Sequence, residues 1–365
     1  IQFNFAVGSN YFMEIAKIRA ARLLWSKIVE AYKPAKTESC KTFVNTVTSD
    51  WNKTAYDPYV NLLRTTTEAM SAILGGTDSL TIKPFDSIYK NPSPFSERLA
   101  RNIQIILKEE AYFDKIVDPA AGSYYIENLT DSIAAEAWKV FLEIESAGGF
   151  LNALQNGTIQ SEIEENARKR HQNISVRKKH FLGTNLYPNL SENINSSIDT
   201  SIYSQNQHGI QDTEIKPLRL YRAVEGYENM RLKTERFKGR RPVAFLFTFG
   251  NLAMRIARAT FASNFFGCAG FEIIEGSGYN DLEEGIKEYP KYEPDIVVAC
   301  SSDKDYENYL PELFHKINNR SIFVVSGYPE KLVNSFREIG IQYFIHKNSN
   351  ALELLMEFQK KLGIK

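Results

Sequence analysis

The sequence predicts an α/β chain built on two separate parallel sheets, and three observations carry that prediction. Five short apolar runs, 242–249, 271–275, 295–300, 321–327 and 341–347, alternate with helical segments. Runs unbroken by polar residues are strands buried on both faces, and helices between them make the sheet parallel. The first 150 residues also alternate strand and helix. Between these parts lies a polar stretch, 183–215, with little to bury. The chain therefore divides into 1–150, 151–240 and 241–365.

The elements follow in order. "IQFNFAV" alternates Ile1, Phe3, Phe5 and Val7 with Gln2, Asn4 and Ala6, the period of a strand. A "GSN" turn places Ser9 or Asn10 to cap a helix over 12–32, whose apolar face is Ile15, Ile18, Leu24 or Trp25, and Ile28. Residues 41–49 read as a second strand, 57–74 as a helix stopped by Gly75-Gly76, and 79–82 as a third strand. Helices at 94–110 and 129–147 flank a loop at 118–125. This is the rhythm of a (β/α)8 barrel, but a barrel needs eight strands to close, and three leave raw edges. Since the sequence also lacks a starting Met, the expectation is the C-terminal part of a longer chain, carrying the last strands and helices of a TIM barrel.

Residues 150–182 are charged and helical, and 183–215 are crowded with Asn, Ser and Gln. That composition predicts a linker extended over a surface rather than packed. Residues 216–240 are basic, with room for a helix. In the last part, helices at 252–266, 282–289, 306–317, 329–339 and 351–362 follow the five strands, which fit the flavodoxin-like strand order 2-1-3-4-5.

Composition excludes several classes. The charge is balanced, 44 basic against 44 acidic residues, which argues against a nucleic-acid or acidic-membrane surface as partner. Three scattered cysteines, Cys40, Cys268 and Cys300, form neither a CxxC nor a metal spacing, so a reduced, cytoplasmic compartment is expected. No apolar run approaches the roughly 18 residues of a membrane span.

In an open α/β sheet the ligand loops follow the C-terminal ends of the strands. Here these are Phe249-Gly250-Asn251-Leu252, then Ser301-Ser302-Asp303, then Ser326-Gly327-Tyr328, with His346 ending the fifth strand at the far edge. A phosphorelay receiver needs an acidic pair after the first strand and an aspartate ending the third, and has neither here. A flavin phosphate loop wants more hydroxyls and glycines than Thr248, Gly250 and Asn251 supply. The plain reading makes Gly250 a turn and Asn251 an N-cap, with Leu252, Ile256 and Thr260 facing the sheet.

Four stretches carry a resemblance: "NYFMEIAKIRAARLLW" (10–25), "RTTTEAMSAILGGTDSL" (64–80), "ERLARNIQIILKEE" (97–110) and "DPAAGSYYIENLTDSIAAEAW" (118–138). In order and spacing this resembles the second half of the barrel of methylmalonyl-CoA mutase. The five-strand part stands where that family has its cobalamin-binding domain. The resemblance implies adenosylcobalamin radical chemistry, interconverting methylmalonyl-CoA and succinyl-CoA in propionate metabolism, within a barrel that excludes water and is threaded by CoA. It also implies a cobalt-ligating histidine in an Asp-x-His-x-x-Gly motif after the first strand of the C-terminal domain.

That motif is vacated. Aligned on Gly250, Leu252 stands at the aspartate, Met254 at the histidine and Ala257 at the glycine. A thioether is a poor substitute for imidazole on Co(III), and Leu252 removes the supporting carboxylate. A helix can begin directly there, and a nucleotide tail between helix and sheet would meet Leu, Ile and Phe. In the barrel part, Asn45 and Val47 replace the family's corrin- and substrate-facing His and Gln, while Thr81 and Lys83 replace a His and an Asn.

Other polar positions read as structural. Arg19 and Arg22 lie where the family helix approaches CoA, but are expected to be solvated or paired. Arg64 and Thr66 are expected to cap a helix, His171 and His180 to lie on the surface, and Ser301, Ser302 and Ser326, similar to the family's cofactor-contact loops, to cap helices. Cys268 and Cys300 read as buried and apolar. The resemblance thus implies the non-catalytic small subunit of a heterodimer, with no catalytic, cofactor-binding or metal residue of its own. Adenosylcobalamin and acyl-CoA would belong to the large catalytic partner. Alternatives are an active acyl-CoA mutase chain with atypical cobalt ligation, or a chaperone or regulator of such a mutase.

Overall fold

Two parallel sheets carry the chain, one of three strands and one of five. The computed structural model describes residues 1–203, 215–317 and 321–365. Two units result, Ile1–Arg168 with Ser197–Ala223, and Lys169–Ser196 with Val224–Lys365.

In the first unit, β1 (Gln2–Val7), β2 (Phe43–Thr48) and β3 (Ser79–Thr81) pair in chain order, with Gln2 opposite Phe43 and Asn45 opposite Ser79. Helix α1 (Tyr11–Ala31) crosses from β1 to β2 and α2 (Val60–Leu74) from β2 to β3. Helix α3 (Pro94–Ile105) starts on a capping box formed by Ser93 and Ser96, with Pro94 in its first turn. It runs into a single π turn, Ile106–Glu110. Helix α4 (Tyr124–Ser146) packs along α1. It begins five residues before the expected 129, because the Glu127 carboxylate accepts from Gly122 N–H and from Arg19, closing the turn early. Helices α5 (Phe150–Gln155), α6 (Thr158–Ser175) and α7 (Thr200–Tyr203) follow.

The second unit takes in the end of α6 and, further along the chain, α8 (Glu225–Arg236). Its strands are β4 (Val243–Thr248), β5 (Glu272–Glu275), β6 (Ile296–Cys300), β7 (Ile322–Ser326) and β8 (Tyr343–Ile345). They lie in the order β5-β4-β6-β7-β8, all parallel, which is the 2-1-3-4-5 order expected from the sequence. Between them run α9 (Leu252–Gly267), α10 (Leu282–Glu288), α11 (Asp303–Lys316) and α12 (Val333–Glu338), and α13 (Ala351–Lys361) closes the chain.

Strand β4 is buried along its whole length. Phe245 and Phe247, with Phe249 just beyond the strand, alternate onto one face, among Tyr279, Tyr289, Tyr306, Leu310 and Phe323. Each such side chain removed from water contributes roughly 1.5–3 kcal/mol, so this face anchors the unit. On α9 the buried residues are Ala259, Ala262, Phe265, Phe266 and Gly267. The expectation that Leu252, Ile256 and Thr260 face the sheet is therefore corrected: all three are exposed, Leu252 at 60% and Ile256 at 52%. Small alanines let the helix approach the strands, and the phenylalanines of its last turns supply the contact area.

The polar stretch is also better packed than its composition suggests. Asn185 and Ile194 are buried, and the buried Arg231 guanidinium donates to the carbonyls of Asn189 and Glu192. Backbone carbonyls on Arg231, together with the buried Ile194, hold this segment in place. The rest of the predicted linker, 204–214, lies outside the described residues. No helix among the described residues is long and apolar enough to cross a membrane.

Candidate functional site at the C-terminal edges of the sheets

At the edge of the five-stranded sheet, Gly250 makes the turn after β4 with φ +69°, a conformation open to glycine. A Cβ there would lie 2.6 Å from Asp305 Cγ and 2.7 Å from Ser301 Oγ. Asp305, in the first turn of α11, reaches back under this loop. Its Oδ2 accepts from Asn251 N–H at 3.1 Å, Ser301 Oγ at 2.8 Å and Ser302 Oγ at 2.7 Å. Burial alone would raise its pKa, but the hydrogen bonds from Ser302, Asn251 and Ser301 outweigh that and hold it below the usual carboxylate value. Asn251 Oδ1 in turn accepts from Met254 N–H at 3.1 Å and caps α9. The helix therefore starts at Leu252, as the vacated motif allows.

Leu252, Met254 and Ala257 sit on the exposed side of these first turns. The next residue, Arg258, does not. Its side chain is 21% exposed, and Nη2 lies 2.9 Å from Asp303 Oδ1 at the start of α11. The guanidinium lies against the Cα of Gly327, where a Cβ would be 2.5 Å from Arg258 Cζ. Ser326 Oγ donates to the Arg258 carbonyl at 3.0 Å. Two clefts flank this arrangement. One, about 670 Å³, is lined by Gly250, Asn251, Asp281, Ser302, Asp305 and Tyr309 among others. The other, about 700 Å³, is lined by Ala257, Arg258, Phe261, Tyr328 and His346 among others. His346 thus shares a cleft with Ala257, although its strand is at the far edge. Its ring lies against Tyr328, with centroids 4.8 Å apart and planes tilted by 39°. Burial, and then the charge of Arg258, hold its pKa below the usual imidazole value.

The edge of the three-stranded sheet is closed by other means. Asn45 is spent on Asn4 and Ser79, at 3.0 and 2.6 Å. Val47 is half-buried and Thr81 exposed. Lys83 forms an ion pair with Asp50, joining the loops after β3 and β2. Below them, Lys53 Nζ lies 2.7 Å from both carboxylate oxygens of Glu68, which also accepts from Asn52 at 2.6 Å. Lys53 and Glu68 are buried, at 5% and 0% side-chain exposure. Burial pushes the Lys53 pKa down and the Glu68 pKa up, and their mutual contact opposes both shifts.

The remaining positions separate cleanly. Arg19 pairs with Glu127 and Asp118, and Arg22 binds Asp78 and the carbonyls of Gly76 and Thr42. Arg64 and Thr66 lie inside α2 and cap nothing: Arg64 bonds Thr54 and Asn61, and Thr66 bonds the Leu62 carbonyl. Of the three serines only Ser302 caps a helix, accepting from Asp305 N–H. Ser301 Oγ lies 2.7 Å from the Phe249 carbonyl and 2.8 Å from Asp305 Oδ2 and shares its one proton between them, while Ser326 ties to α9. His171 and His180 are exposed, and Cys268 and Cys300 are buried. Burial raises both thiol pKa values, that of Cys268 to about 11, so neither is a reactive thiolate. Sequence reasoning missed Asp50, Arg258 and Asp305. A signal existed for the last, since Ser302-x-x-Asp305 has the spacing of a capping box.

Among the described residues no group of three His, Cys, Asp or Glu side chains could hold a metal ion. At the β4 edge Met254 stands on an exposed helical turn, and the guanidinium of Arg258 lies against Gly327. Fold and edges together define a two-sheet α/β protein of mutase-barrel type, with its ligand edges closed by its own side chains. The chain belongs to the methylmalonyl-CoA mutase family, whose model matches residues 1–237. Along its whole length it is 48% identical to a methylmalonyl-CoA mutase small subunit of Porphyromonas gingivalis, covering 59% of that relative. It is 33% identical over 84% of its length to a methylmalonyl-CoA mutase small subunit of Streptomyces virginiae, covering 48% of it. A methylmalonyl-CoA mutase of Rhizobium meliloti is 44% identical over 51% of this chain, which covers 26% of that relative. The chain thus spans about half the length of the small subunits it matches.

Proposed function

We propose that this chain acts as the non-catalytic small subunit of a heterodimeric methylmalonyl-CoA mutase in the cytoplasm. In this reading its second unit is a degenerate, flavodoxin-like cobalamin-binding domain. Adenosylcobalamin, acyl-CoA and the radical interconversion of methylmalonyl-CoA and succinyl-CoA belong to the large partner subunit, and this chain supports that subunit's fold. The observation that carries the reading is the start of α9: Asn251 caps a regular helix through the positions where a cofactor loop would need its aspartate, histidine and glycine. The small-subunit names of two relatives support the same assignment.

The competing reading, an active chain with atypical cobalt ligation, has His346 in its favour, since that ring lines the cleft beside Ala257. Against it, Nδ1 of His346 accepts from Asn348 N–H, which leaves the proton on Nε2. A visible-spectrum titration of adenosylcobalamin separates the two. The chain alone is expected to leave the spectrum unchanged, and the mixture with the large subunit to bind about one cobalamin per heterodimer and turn over. A histidine-ligated spectrum with the chain alone would overturn the assignment.

A further inference from the structure

The position after the vacated motif carries a residue with a role of its own. Leu252, Ile256 and Ala257 point outward from α9, whereas Arg258 points across the sheet edge and is mostly covered. It is tied at three points. Its guanidinium pairs with Asp303 at the start of α11, lies on Gly327 after β7, and its carbonyl takes the hydroxyl of Ser326 at the end of β7. Gly327 has φ +137° and no room for a Cβ beneath the guanidinium, so glycine is required there twice over. The two clefts beside the pair share no lining residue. Arg258 walls one of them, and its partner helix α11 lines the other.

We propose that Arg258 is a resident occupant of the cofactor groove: its guanidinium fills the space between α9 and the β7 edge that a nucleotide tail would need, and so excludes cobalamin independently of the lost histidine position. This rests on the reading of the chain as a cofactor-free subunit and adds a second, separable cause. A ligand-loop reversion alone then fails. Restoring the aspartate, histidine and glycine rebuilds a lower ligand, but the tail still meets a pinned cation. The Arg258–Asp303 pair is partly exposed and screened, so removing it leaves the fold in place.

The test compares four forms of the full chain: the native sequence, R258A, the triple variant L252D/M254H/A257G, and the triple variant combined with R258A. Each is first shown to be folded by circular dichroism. Adenosylcobalamin binding is then measured by equilibrium dialysis with visible spectra. The combined variant is expected to bind at least tenfold more tightly than the triple variant. Affinities within threefold of each other, or no binding by either, would overturn the proposal. A second measurement avoids the cobalt ligand altogether. Free benzimidazole, the bare ring of the tail, should shift the amide resonances of Gly327 and Tyr328 in R258A and not in the native chain. Equal responses in the two, or none, would overturn the proposal as well. Binding of adenosylcobalamin by the native chain would instead sink the cofactor-free reading itself.

Discussion

The two units close their sheet edges with opposite materials. In the five-stranded unit, Phe245, Phe247 and Phe249 fill one face behind the β4 edge, and at its rim Asp305 gathers Asn251, Ser301 and Ser302. In the three-stranded unit the strands are less covered, and ionic groups go inside: Lys53, Glu68 and Asn52 form a buried cluster behind the β2 edge. The difference teaches where each unit is vulnerable. An apolar interior loses stability in proportion to the volume removed, whereas a buried ion pair fails abruptly when one partner goes.

The largest effect should come from that buried pair. Glu68→Ala strands the Lys53 ammonium without a partner and should cost about 3–5 kcal/mol in urea unfolding. The combined change Lys53→Met with Glu68→Leu should recover most of it. If Glu68→Ala alone were neutral, the pair would not be the buried ionic contact described. Next, Phe247→Ala should destabilise the second unit by about 3–4 kcal/mol through the cavity it leaves. Near-UV circular dichroism would show this as loss of the aromatic signature, and a change below about 1 kcal/mol would contradict the packing of β4.

Asp305→Asn is smaller and depends on pH. The folded-state pKa of Asp305 lies below its unfolded value, so its contribution is present above the unfolded pKa, near 4, and is lost as pH falls through the folded pKa. The variant should cost about 2 kcal/mol at neutral pH and show a flatter decline of stability below pH 4 than the native chain. Equal acid slopes would remove Asp305 from the account. Smallest of all, Lys83→Met breaks a half-exposed ion pair and should change stability by no more than about 1 kcal/mol. A much larger loss would mean that the first edge, too, relies on its rim.

Much of this was legible without coordinates. The strand order of the five-stranded sheet followed from apolar runs separated by helices, since parallel strands buried on both faces leave that pattern. The turn and helix start at Gly250-Asn251-Leu252 were readable because they are local. Less legible was the direction of α9. Apolar residues at Leu252 and Ile256 suggested a buried face, but the alanines and the phenylalanines further along decided it. Arg64 and Thr66 were placed at a helix start that lies at Val60, four residues earlier. The packing of 183–196 was hidden because much of the holding is done by carbonyls, which every residue carries.

By itself, the sequence determined that the chain is α/β with parallel sheets, that it resembles the mutase family, and that Leu252, Met254 and Ala257 follow the Gly250-Asn251 turn. These are properties of residues close in the chain. What holds the loops at the β4 edge was decided only in three dimensions. Asp305 lies 54 positions from the Asn251 it supports and Arg258 lies 45 from Asp303. A carboxylate or guanidinium finds such a partner through the strands that bring their loops together. Local periodicity carries no record of that meeting, because the energy of a charged group depends on the neighbours the fold supplies.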